Sequence, residues 1–258
     1  MDISEISHRI FSTEINYGIN LLQLRGGLLF GTDVLLLAAF LPRAGKAAEL
    51  GCGSGVISLI AAAGRRIDFI TAAEIQPEYC AIARENVRIN TETGLLPPDS
   101  VKIVEADIRD WRAVGEAGEY DVVFANPPYM RTDTGKRNET EEKYIARHEV
   151  HGDISDFCLA ASRLLHPGGR FCCVYRPDRL IDLICAMREA QLEPKRLIMV
   201  YRDVYHQPSL VLAEGIRDGK PSLFTPPPLI LYDGDGAMTD DFKKITDDGV
   251  FDERYIRK

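Results

Sequence analysis

Two apolar patterns alternate through the middle of the chain. Short β-branched runs at 47–51, 67–74, 101–105, 120–125 and 169–175 read as strands buried on both faces. Amphipathic stretches at 55–63, 77–89, 154–165 and 179–190 read as the helices between them. Pro77 stands at a helix start, where its missing N–H costs nothing. Pro167-Gly168-Gly169 closes one helix and opens the next strand. Two more strands, at 194–202 and 209–214, are joined only by 203–208. That link is too short for a parallel crossover, so the pair is expected to be antiparallel. The pattern predicts an α/β fold: a mostly parallel sheet ending in an antiparallel hairpin strand, with helices on both faces.

The flanks differ in composition. Residues 1–45 carry Gly26-Gly27 and a helical stretch at 32–41 with Thr32 as its expected N-cap. Residues 46–232 hold the alternating domain, with a strand-like piece at 229–232. Residues 217–258 are rich in Pro, Gly and charge, and 233–258 is expected to be a flexible tail.

Composition adds exclusions. With 45% hydrophobic and 27% charged residues, the 258-residue chain has the balance of a soluble globular protein. No apolar run approaches the ~20 residues of a membrane span. The opening Met1-Asp2-Ile3-Ser4-Glu5 lacks the marks of a signal peptide, which predicts a cytoplasmic protein. The six cysteines have neither Cys-x-x-Cys spacing nor histidines at ligand spacing, so they are read as buried hydrophobes, with no metal and no disulfide framework expected. A net charge of −8 argues against tight non-specific binding to nucleic acid, although a local basic patch can still serve.

The chemistry begins at Ala48-Glu49-Leu50-Gly51-Cys52-Gly53-Ser54-Gly55, between a strand and a helix. The glycines run G-x-G-x-G, not the G-x-G-x-x-G of dinucleotide folds. Glu49 at the strand end suits a cationic amino group better than a pyrophosphate. Glu74, ending the second strand, can accept from both ribose hydroxyls, with Ile75 beside it. Asp107 can accept from an adenine amino group, and Ile108 can pack on the ring. An acidic, phosphate-free cradle along one sheet edge matches S-adenosylmethionine, which leaves as S-adenosylhomocysteine.

The fourth strand runs into Asn126-Pro127-Pro128-Tyr129. The prolines fix the backbone and remove two donors, freeing the Pro127 carbonyl as an acceptor. The Asn126 side-chain oxygen is a second acceptor. Together they can take both protons of a planar NH2 and localise its lone pair, which is transition-state stabilisation without a strong base. Pro128 and Tyr129 offer a surface for the substrate, with Tyr129 giving a flat face to an extruded base. An adenine amine and a glutamine amide fit this pair equally.

The chain resembles class I methyltransferases of the small-domain type bearing this tetrapeptide. More narrowly, it resembles bacterial enzymes that methylate N6 of adenine 37 in valine tRNA. The narrower likeness rests on Gly31-Thr32-Asp33, Ala146-Arg147-His148-Glu149 and Tyr175-Arg176-Pro177-Asp178-Arg179. It implies a Rossmann-like, seven-stranded sheet with an N-terminal extension packed on the cofactor site. It implies cofactor binding by Glu49, Gly51, Gly53, Gly55, Glu74 and Asp107, with Thr32 and Asp33 near the methionine end and Asn126 beside the donor. It implies catalysis by Asn126 and Tyr129, and the anticodon loop of a tRNA as substrate.

Lys136, Arg137 and Arg147, in the segment after the tetrapeptide, are candidates for phosphate contact once that loop orders over substrate. Arg176, Arg179, Lys195, Arg196 and Arg202 form a second candidate basic set. The competing readings are an N5-glutamine methyltransferase of a release factor, an rRNA or DNA amino methyltransferase, and a catalytically silent partner that binds cofactor and RNA. The first carries a helical N-terminal domain, for which the short segment before the glycine loop is too small. A nicotinamide dehydrogenase is disfavoured by the loop spacing.

Overall fold

A computed structural model of the chain describes residues 3–27, 30–127 and 152–256. The sheet is built from β3 (Ala44–Leu50), β4 (Ile67–Glu74), β5 (Val101–Glu105), β6 (Tyr120–Ala125), β7 (Leu165–Tyr175), β8 (Leu192–Tyr201), β9 (Pro208–Arg217) and β10 (Leu229–Ile230). Its order is β10-β8-β9-β7-β6-β3-β4-β5. Strands β7, β6, β3, β4 and β5 are parallel, and β9 runs antiparallel between β7 and β8. The expected seven strands and hairpin are present. An eighth is added because Leu229 and Ile230 pair in parallel with Val200 and Tyr201 at the edge.

Alternation along the central strands sorts side chains between two cores. On β6, Val122 and Phe124 face one and Val123 and Ala125 the other. The first is covered by α1 (Thr32–Phe40) and α2 (Val56–Ala63), the second by α4 (Ile154–Leu164) and α5 (Leu180–Glu189). Burial on both faces is why these strands read as continuous apolar runs. Pro77 opens α3 (Pro77–Glu92) as expected. Thr32 is not the N-cap of α1: Gly31 holds that place and Thr32 is the first helical residue.

Two flanking features go beyond the pattern. Residues 10–24 form a separate hairpin, β1 (Ile10–Ile15) with β2 (Ile19–Leu24). Its β2 edge is satisfied by two asparagines of α3: Asn86 and Asn90 accept from the Leu22 and Asn20 amides at 2.7 and 2.9 Å and donate to the same residues' carbonyls. Spaced i, i+4, they share one helix face and act as a substitute strand. Asn86 also donates to the Ser54 carbonyl at 3.0 Å, tying the hairpin to the glycine loop.

The segment expected to be a flexible tail is packed. It carries α6 (Asp240–Asp248), capped by Thr239, and buries Phe242, Ile245, Phe251 and Tyr255 in the first core. The pattern hides this because few apolar residues, spread among charges, do the covering.

Candidate active site

The parallel strands all end at one edge, which puts their following loops side by side. Leu50 on β3 is in register with Ala73 on β4 and Ala125 on β6. The chain leaving β3 thus enters the glycine loop between Glu74 and Asn126. Gly51, Gly53 and Gly55 have φ of +70°, +55° and +81°. Side chains rarely tolerate that left-handed region, so glycine is needed for the turn itself. A Cβ on Gly53 would meet nothing within 4 Å, so the loop's face there is open to a ligand.

Glu74 fastens the loop. Its Oε2 accepts from the Gly53 amide and its Oε1 from the Gln76 amide, both at 2.9 Å. Burial pushes its carboxyl up, while these backbone donors pull it down. The Ile75 amide and the Gln76 side chain pull it down as well, so Glu74 gathers donors from both sides of the turn. An open glycine turn beside a buried acid fits the ribose and methionine parts of S-adenosylmethionine.

Glu49 is turned beneath the loop. Only 1% exposed, it accepts at Oε2 from the Ser58 amide at 3.2 Å and from the Ser58 hydroxyl. One of its oxygens is therefore committed to α2. Burial pushes Glu49 from its ordinary 4.5 up to about 8, against the pull of Ser58. An acid with a raised folded-state pKa keeps its proton in the fold after the unfolded chain has released it. Its stabilising contribution is complete below about pH 4.5 and is lost as pH rises toward about 8. In the ligand-free protein, Glu49→Gln is expected to remove that loss. Urea melts across this pH range should show the gap between the variant and wild type moving in the variant's favour as pH rises. A constant gap would mean that Glu49 does not titrate there.

Glu105, in register with Glu74, leads into Asp107. Asp107 accepts from the Arg109 amide and pairs with its guanidinium, which holds the acid at the rim. Ile108 is buried in the second core and Ile75 is half-buried. Asn126 is half-buried, and Pro127 behind it is buried. Asn126 Nδ2 donates to Asp33 Oδ2 at 2.6 Å, so the first turn of α1 reaches the end of β6. The strand-end pattern does not reveal that contact. The Gly-Thr-Asp segment was its only signal.

Pro128, Tyr129, Lys136, Arg137 and Arg147 lie outside the described residues, as does His148. The second basic set is divided. Lys195 and Arg196 are buried, Lys195 donating to the Lys220 carbonyl and Arg196 to Glu214 at 2.9 Å. They cannot form part of a surface patch. Arg176 pairs with Asp178 and Arg179 with Asp182, and Arg202 is largely exposed. Among the described residues no acid, His and Cys cluster could hold a metal, and no helix is long and apolar enough to cross a membrane.

Known proteins share this fold. The family model "Methyltransferase small domain" matches residues 25–184. The chain is 30% identical over 172 residues to the tRNA1(Val) (adenine(37)-N6)-methyltransferase of Aeromonas salmonicida, covering 65% of this chain and 68% of that one. The crystal structure of a protein from Agrobacterium tumefaciens, titled a predicted O-methyltransferase, superposes with a TM-score of 0.69 at 20% identity, over 86% of this chain and 98% of the other. The geranyl diphosphate C-methyltransferase of Streptomyces coelicolor, solved with S-adenosyl-L-homocysteine, gives 0.50 at 14% identity, over 71% and 74%. The family match spans most of the sheet and includes both the glycine loop and Asn126. The chain therefore belongs to the methyltransferase small-domain family, with the class I fold and S-adenosylmethionine as its methyl donor.

Proposed function

We propose that the protein methylates the exocyclic N6 of an adenine in RNA, with adenine 37 in the anticodon loop of a tRNA as the substrate. The observation that carries the amine chemistry is Asn126 at the end of β6, next to the glycine loop in register and bonded through Nδ2 to Asp33. With its donor end occupied, the amide has Oδ1 to offer an incoming amine. The adenine and the tRNA are supported by the Aeromonas relative.

When bound, S-adenosylmethionine supplies an electrophilic methyl group on sulfur. Thr32, Glu49, Gly51, Gly53, Gly55, Glu74, Ile75, Asp107 and Ile108 are the residues assigned to hold it, with Asp33 and Asn126 beside its reactive end. Asn126 Oδ1 and the Pro127 carbonyl accept the two N–H protons of the target amine and favour its pyramidal form. Tyr129 and Pro128 stack the extruded base, a contact worth about 1–3 kcal/mol. Lys136, Arg137 and Arg147 are assigned to RNA phosphates, in a cytoplasmic setting where tRNA is available.

The test is product identification. The protein is incubated with labelled cofactor and, separately, with unmodified tRNA, rRNA and release factor. Mass spectrometry is expected to find N6-methyladenosine in tRNA. Label on a glutamine amide or in rRNA alone would overturn the assignment.

A further inference from the structure

Asp33 stands 2.6 Å from Asn126 although 93 positions separate them. A carboxylate only accepts hydrogen bonds, whereas a side-chain amide has one donor end and one acceptor end. The amide can therefore meet Asp33 in one orientation, with Nδ2 toward the carboxylate and Oδ1 on the other branch. Turned over, two acceptors would face each other with no proton between them. The orientation matters because only Oδ1 can accept a proton from an amine. Nδ2 in its place would set hydrogens against hydrogens.

Gly31 makes room for this arrangement. A Cβ there would lie 2.5 Å from Asp33 Oδ1. Its φ of −131° is open to any residue, so the requirement is space and not backbone freedom. Behind Asp33, α1 is fixed by Leu36 and Leu37, both fully buried, and by Phe40. The carboxylate is thus carried on a rigid element, as an aligned site needs.

We infer that Asp33 is a positioning residue for methyl transfer. It fixes the Asn126 amide with Oδ1 toward the incoming amine, and Gly31 is small so that its carboxylate can sit there. The inference rests on the amine chemistry proposed for Asn126. The rival role for the same carboxylate is to hold the ammonium of the cofactor.

The two roles separate in a charge-exchange experiment on the full chain. The acceptor substrate is the one that product identification returns, so an error over adenine does not reach this test. Asn126→Asp sets two carboxylates against each other and is expected to cut kcat about 100-fold or more. Asp33→Asn alone lets the amide pair either way up, and kcat is expected to fall several-fold. Combined, the new amide at 33 donates to the new carboxylate at 126, which again presents an oxygen outward. The double variant is expected to exceed Asn126→Asp at least about tenfold in kcat, so that one substitution harms the wild type and rescues the variant. Gly31→Ala is expected to lower kcat about tenfold by displacing the carboxylate, a loss of about 1.4 kcal/mol. Calorimetry with S-adenosylhomocysteine should give affinities within about threefold of wild type for all four variants, which also shows that they fold. A double variant no faster than Asn126→Asp would overturn the inference. So would Asp33→Asn that weakens S-adenosylhomocysteine tenfold or more with kcat unchanged at saturating cofactor, which would make Asp33 the ammonium's partner.

Discussion

Asn126→Ala is expected to cut the single-turnover rate of methyl transfer by at least about 10²–10³-fold, the cost of removing one preorganised hydrogen-bonding group from a site of developing charge. The reason lies in the nucleophile. An amine conjugated to a ring or carbonyl has its lone pair drawn into the π-system, and in the proposed reaction Asn126 Oδ1 is the side-chain acceptor that the end of β6 supplies against this. Cofactor affinity is expected to stay within about threefold of wild type. The cradle is built without Asn126: the glycine turn is held by Glu74 through the Gly53 amide, and by the Cys52 amide bonded to the Ala73 carbonyl at 2.9 Å. The fold should also hold, because Asn126 is only half-buried and follows a strand already paired on both sides. Rapid quench with labelled donor gives the rate, and calorimetry with S-adenosylhomocysteine gives the affinity. If binding fell along with the rate, Asn126 would belong to the cofactor site alone and the amine chemistry would need another acceptor.

The parts of this protein that were legible from sequence share a physical cause. Strands β4, β5 and β6 match the expected ranges residue for residue, and β6 shows the cause best, since a parallel strand covered on both faces must be apolar nearly throughout. That Glu49, Glu74 and Asp107 share one edge was legible because sheet topology sends each parallel strand's C-terminal end there. Side-chain direction was not. Glu49 turns to Ser58 and Asp33 to Asn126, neighbours brought there by the fold, while Asp107 turns to Arg109 two residues on, one of several partners that the local sequence offers. Lys195 and Arg196 looked like surface cations because nothing local announces their partners, the Lys220 carbonyl for Lys195 and Glu214 on the neighbouring strand for Arg196. The β1–β2 hairpin escaped notice for a similar reason: its edge is satisfied by asparagines more than 60 residues away.

The C-terminal segment is where composition misleads most, and Phe251→Ala measures by how much. Phe251 is 5% exposed and packs edge-on against Phe40 and Tyr255, with ring centroids 6.0 and 5.6 Å apart. Its neighbour Phe40 carries the Arg196 guanidinium 3.9 Å above its ring. That guanidinium donates to the Phe40 and Tyr255 carbonyls at 3.2 Å and to Glu214 at 2.9 Å. Phe251 thus closes a stack joining the sheet, α1 and the end of the chain. Arg66 adds a second tie, donating to the Leu41 and Gly249 carbonyls at 2.6 Å. Truncating a buried phenylalanine costs about 3–5 kcal/mol, from lost transfer energy and the cavity left behind. For a domain of this size each kcal/mol lowers Tm by about 2–4 °C, so a fall of about 6–20 °C is expected. A loosely attached tail would give under about 0.5 kcal/mol, the range of ordinary surface changes. Thermal melts of the two full-length proteins separate these outcomes, and an unchanged Tm would show that the tail covers nothing the core depends on. The effect should extend to catalysis, because the surface that Phe251 covers belongs to α1, and the first turn of α1 carries Asp33 to Asn126.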